Sequence, residues 1–273
     1  MLAHLKIISL VAILLVIAAP VDATSIVVDL NANRILVVAD SRASEVGLSG
    51  SAVHDDKCKI VILGNEIAFA ETGREGYTPN GPGDTAPEWH GTTEALTAYN
   101  NVADHDLYQV ALAWSIQVTD DFQRFYLINP QRVRSLAVQG VLLIGLFAGK
   151  SSDGKLKVYV GRAALDDTLQ TRTGALIPIG YAVDTIPMRE EPISTNTVTQ
   201  ELLDGETNRA KKVANLWAQK SRSIPLVNRR LKWLEYIVER TGDYDPDVHS
   251  PVNAVEVREN SVVWLQNNTC QNQ

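Results

Sequence analysis

Runs of Val and Ile in this chain come in pairs, each pair joined by a short polar turn, and this pairing limits the folds open to it. Residues 25–30 and 35–39 flank Asn31-Ala32-Asn33, and residues 59–63 and 67–70 flank Gly64-Asn65. The pattern returns as residues 141–147 and 156–160 around Asp153-Gly154, and as residues 254–257 and 261–265 around Glu259-Asn260. Branched aliphatic side chains suit a pleated strand, and turns this short reverse the chain, so each pair reads as a β-hairpin. Residues 175–179 add a further strand. Between the hairpins, Thr92 or Thr93 caps a helix whose apolar stripe is Leu107, Val110, Ala111, Trp114 and Val118. A helix pair follows the connection at residues 190–200. Its first member spans residues 199–220. The second is capped by Ser223, has Pro225 in its first turn, presents Val227, Leu231, Leu234 and Val238, and stops at Gly242. Strands, helix, strands, helix pair and strands in that order give an α+β class of antiparallel sheets covered by helices rather than alternating β-α units.

The first residues do not belong to that pattern. His4 and Lys6 precede an apolar run over residues 7–19, and small residues stand at Val21 and Ala23. This is the layout of a cleavable signal peptide, residues 1–23, and the run is shorter than the ~20 residues a membrane helix needs. Cleavage after Ala23 leaves one domain, residues 24–273, with Thr24 at its N-terminus, secreted or periplasmic and without stable membrane insertion. Thirty-two Asp and Glu against 25 Lys and Arg give a net charge of -7. Nucleic acid and anionic surfaces are therefore not the expected partners. Cys58 and Cys270 either form one disulfide in an oxidising compartment or remain a buried thiol and an unpaired one. The histidines are scattered without ligand spacing, so neither a metal nor another cofactor is expected.

An N-terminal threonine has a chemical property that an internal one lacks. Its hydroxyl is a feeble nucleophile at neutral pH, but a free α-amine, with a pKa of about 7.7 to 8.0, supplies the base that takes the proton. Such a centre also needs a cation near the amine, a carboxylate to orient the cation, and amide donors for the oxyanion.

Thr24-Ser25-Ile26, then residues 35–43 with Asp40-Ser41-Arg42, Asp56-Lys57, and residues 68–73 ending at Gly73 resemble the N-terminal part of proteasome β-type subunits, which are N-terminal-nucleophile (Ntn) hydrolases. The spacing from Thr24 to Asp40 and Arg42 is that of the family without a gap. The resemblance implies a four-layer α-β-β-α sandwich of two antiparallel sheets. It makes Thr24 the nucleophile, Asp40 the orienting carboxylate with Arg42 in support, and Gly73 the oxyanion donor. Lys57 is the site lysine with a one-residue insertion before it. Lys59 is the alternative, because the two share one face of a strand. Asp247 and Ser250 match the pair that supports the threonine amine. The family's serine-bearing turn before its third helix falls near residues 179–182, where this chain has no serine, and the Pro- and Gly-rich loop over residues 76–91 is an addition. The implied substrate is a peptide or another amide. An amidase or acylase of the same superfamily and a catalytically silent scaffold stay open as alternatives, as does self-association.

Overall fold

The computed structural model describes residues 25–47, 50–54, 57–73, 76–77, 88–137, 140–165, 179–187, 192–267 and 270. The leader, Thr24, Asp56, residues 78–87 of the Pro/Gly loop, residues 175–178 and residues 190–191 lie outside the described residues.

Each expected hairpin is present. Strands β1 (Ile26–Leu30) and β2 (Ile35–Ala39) pair antiparallel, as do β3 (Ala43–Gly47) with β4 (Gly50–His54) and β5 (Ile60–Leu63) with β6 (Ile67–Gly73). The short strands β7 (Gly76–Tyr77) and β8 (Trp89–His90) pair with each other. Then come helices α1 (Gly91–Asn101), α2 (Leu107–Ile128) and α3 (Pro130–Leu136), followed by β9 (Val141–Lys150), β10 (Leu156–Leu165), β11 (Ile179–Ile186) and β12 (Ile193–Ser194). Helices α4 (Thr197–Asp204), α5 (Asn208–Lys220) and α6 (Leu226–Thr241) precede β13 (Asn253–Arg258) and β14 (Ser261–Gln266). Two five-stranded antiparallel sheets result, ordered β12-β1-β2-β13-β14 and β11-β10-β9-β6-β5.

Strands β1 and β2 are buried at every position, Asp29 included, which explains runs otherwise wholly aliphatic: both faces of the ribbon are covered. With a side-chain period of two, Ile26, Val28, Val37 and Ala39 join Ala70, Leu146, Val158 and Val160 of the second sheet in one apolar cluster. The alternate residues Val27, Leu36 and Val38 meet Leu234 and Val238 of α6. On the second sheet, Phe69 and Phe147 cluster with Trp114, Val118 and Phe122 of α2. The stripe expected on α2 is fully buried along its length. Asp106 caps that helix, accepting from the Gln109 amide at 3.0 Å.

Four expectations are corrected. The single helix over residues 199–220 is two helices, because Gly205 turns left-handed with φ 73° at the end of α4, and Thr207 then caps α5. Pro225, not Ser223, precedes α6, and Ser223 lies in a 3-10 turn. Val227 is 80% exposed and does not belong to the buried stripe of its helix. Neither Thr92 nor Thr93 caps α1, which starts at Gly91 with His90 before it.

Cys58 and Cys270 are joined by a disulfide across 212 positions, with Cα atoms 4.8 Å apart. The bridge ties the C-terminal tail to the residue immediately before Lys59. A cross-link across so long a separation restricts the unfolded chain, so the Cys58→Ser, Cys270→Ser double variant is expected to lose about 2–4 kcal/mol, read as a lower urea midpoint. Disulfides persist where thiols are oxidised. Among the described residues, no helix is long and apolar enough to cross a membrane.

Candidate active site

The site grows from the point where β2 ends. Asp40 follows its last residue, is fully buried, and is held by its own backbone: its N–H donates to the Ser25 carbonyl at 3.2 Å. The Ser25 N–H returns a bond to Asp40 Oδ1 at 2.9 Å. On the other oxygen, Oδ2 accepts the amides of Arg42 at 3.2 Å and His249 at 3.3 Å. Lys59 completes the set, its Nζ 3.5 Å from Oδ1, with both side chains fully buried. Three backbone donors and an ammonium thus converge on one carboxylate from four separate parts of the chain. Burial pushes the Asp40 carboxyl above its ordinary range, and the Lys59 ammonium and the three amides pull against that shift.

Of the two candidate lysines, the structure brings Lys59 to Asp40. Lys57 enters through its backbone, the amide donating to the Ser41 carbonyl at 3.1 Å. Arg42 reaches over to the Pro246 carbonyl, and Ser41 N–H donates to the His249 carbonyl at 3.3 Å, so the loop carrying Asp247 and Ser250 is fastened to the Asp40-Ser41-Arg42 turn. The Asp247 amide donates to Asp245 Oδ1 at 3.0 Å, and Ser250 is exposed. Gly73 closes β6 with φ +113°, a conformation that a Cβ would strain. Because β5 opens with Ile60 opposite Ala70, Lys59 and Gly73 lie at the same end of that strand pair.

Residues 179–182, where the serine-bearing turn was expected, belong instead to β11. The hydroxyl-rich segment before a helix is Ser194-Thr195-Asn196, the end of β12 and the bend just ahead of α4. It holds the start of β1: Thr195 Oγ1 accepts the Ile26 amide at 3.1 Å, and the Thr195 amide donates to the Ile26 carbonyl at 3.0 Å. Asn196 caps α4 by accepting the Thr199 amide at 3.0 Å, and its Nδ2 donates to Asp245 Oδ2 at 2.7 Å.

A buried chain of hydroxyls continues from there. Thr241 Oγ1 donates to the Ile237 carbonyl at 3.0 Å and lies 2.8 Å from Thr199 Oγ1, which is also 3.3 Å from Asn196 Oδ1. Ser25 Oγ lies 2.7 Å from Thr199 Oγ1. The Ser25 side chain is thereby held in a buried hydroxyl cluster. Ser25, next in sequence to Thr24, is fixed through its amide, its carbonyl and its hydroxyl. The sequence signal for this segment was present in the Asn196-Thr197-Val198-Thr199 cap pattern at the end of a polar connection.

Among the described residues, no three His, Cys, Asp or Glu side chains gather as metal ligands. No protein-family model matches this chain, and no curated protein matches it.

Proposed function

We propose that this chain is an exported N-terminal threonine hydrolase that cleaves peptide or other amide bonds, with its sheets and helices layered as an α-β-β-α sandwich of the Ntn type. The observation that carries the reading is the fully buried Asp40 carboxylate, which accepts the Ser25 amide and the Lys59 ammonium at once. A buried charge pair needs a reason, and this one holds the amide of Ser25, the residue that follows Thr24 in sequence. The apolar cluster shared by the two sheets, with helices on their other faces, supports the layering. The disulfide supports export to a periplasmic or extracellular compartment.

In this reading the Thr24 Oγ attacks the scissile carbonyl carbon while the free α-amine takes the hydroxyl proton and passes it to the leaving nitrogen. The Lys59 ammonium disfavours protonation of the amine, Asp40 orients that ammonium, and the Gly73 amide supports the oxyanion. Water then attacks the resulting ester, the amine accepts a proton from it, and the proton returns to Oγ as the acid departs.

The full chain, leader included, is to be expressed for export and the product measured by intact mass and N-terminal sequencing. The expected product begins at Thr24 and gains one covalent adduct from a β-lactone probe, which Thr24→Ala abolishes. A product beginning elsewhere, or one beginning at Thr24 that gains no adduct, overturns the proposal.

A further inference from the structure

Between Glu206 and Glu235 the chain carries eight Lys and Arg and no Asp or Glu, in a protein of net charge -7. That stretch folds as a helical hairpin: α5, the 3-10 turn Ser221–Ser223, and the first half of α6. Part of its charge is spent within the fold. Arg230 grips Asp29 through two bonds of 2.8 and 3.0 Å, Arg209 Nε donates to Glu201 at 3.0 Å, and Lys232 meets Glu235.

The remainder faces water. Lys211, Lys212 and Arg222 are exposed and meet no carboxylate among the described residues, whereas Lys220, also exposed, holds its ammonium 5.0 Å from the centre of the Tyr236 ring. Lys212, Leu216 and Lys220 recur every four residues and so lie along one stripe of α5. At the tip of the hairpin, directly after Pro225, Leu226 is 78% and Val227 is 80% exposed. Two adjacent aliphatic side chains held in water, four and five residues on from Arg222, have no role in the fold's own core.

We infer that this hairpin docks the protein on an anionic lipid surface. Leu226 and Val227 enter the boundary of the acyl region while Lys211, Lys212 and Arg222 sit among the headgroup phosphates. The acidity of the whole chain does not oppose this, because at physiological salt charges act over about one Debye length, roughly 8 Å, and the local sign decides. A nucleic-acid backbone would satisfy the cations but offers nothing to the aliphatic pair. Bilayers satisfy both.

The test is flotation of the exported protein with phosphatidylcholine vesicles, with and without phosphatidylglycerol. Binding is expected only with phosphatidylglycerol. Lys211→Gln with Lys212→Gln is expected to weaken it about 25-fold, from about fivefold per basic residue near the surface. Leu226→Ser with Val227→Ser is expected to weaken it about tenfold or more through lost apolar burial. Leu127→Ser, at another exposed leucine, is expected to leave it unchanged. Failure to float with phosphatidylglycerol vesicles overturns the inference. So does binding that ignores the Leu226/Val227 change, or equal retention on duplex DNA with the same dependence on Lys211 and Lys212 alone. All three variants alter exposed side chains, and unchanged far-ultraviolet dichroism confirms that each is folded.

Discussion

Lys59→Met is expected to cost about 3–5 kcal/mol at neutral pH and to end β-lactone modification of Thr24, whereas Lys57→Met leaves the adduct in place. The reason lies in what methionine leaves behind. Asp40 and Lys59 are both wholly enclosed, and removing the ammonium strands a carboxylate whose burial already raises its pKa. Because Lys59 lowers that pKa in the intact protein, its loss raises it further. A carboxyl that titrates higher in the folded than in the unfolded chain favours folding while protonated, and that contribution fades as pH climbs from the ordinary value of 3.8 through the folded one. The stability gap between Lys59→Met and the parent should therefore close in acid and widen toward neutrality. Urea midpoints across that range measure it. A gap that does not change with pH would mean that methionine costs packing and not charge compensation. In the Asp40→Asn, Lys59→Met double variant no carboxylate is stranded, so much of the stability should return while the adduct does not.

Trp114→Ala should be as damaging through packing alone, at about 3–5 kcal/mol. The indole is fully buried on α2, and its Nε1 donates to the Gly91 carbonyl at 2.9 Å, joining α2 to the start of α1. Phe69 and Phe147 lie beside it at ring separations of 5.5 and 5.6 Å. Gly145 and Gly161, paired across β9 and β10, give it room. A Cβ at Gly145 would come 2.6 Å from the indole, and one at Gly161 would come 3.1 Å from it and 2.3 Å from Ser115 Oγ. Alanine at 114 opens a cavity between α2 and the second sheet that these β-strands cannot collapse to fill. For a domain of this size the loss should lower the melting temperature by about 8–15 °C. Gly145→Ala, the reverse error, should cost about 1–3 kcal/mol by overpacking the same contact. A small effect at both positions would show that α2 is not seated on the second sheet as described.

The hairpins were legible because turn chemistry and a two-residue period act locally, and Leu107 to Val118 declared a helix by its spacing alone. Asp40 could be picked out by its distance from Thr24. Depth could not be read in the same way. Lys57 and Lys59 share a strand face, and only the fold decides which ammonium meets Asp40. Thr199 and Thr241 look like ordinary helical threonines until three-dimensional packing stacks their hydroxyls on Ser25. Val227 fits the period of α6, yet the helix ends its contact with the first sheet before reaching that residue. The basic hairpin was hidden for another reason: a total charge averages over the chain, whereas a surface is felt patch by patch.

The place of β13 bears on timing. This strand, made from residues 253–258, lies directly beside β2, and the His249 amide just before it holds Asp40. A growing polypeptide therefore leaves β2 without this neighbour, and Asp40 without the His249 amide, until residues 249–258 have been made. Contacts this remote in sequence also form slowly. For the hydrolase proposed above, the consequence is that a nascent chain stopped short of residue 249 carries no assembled Asp40 centre and is inert toward the proteins around it.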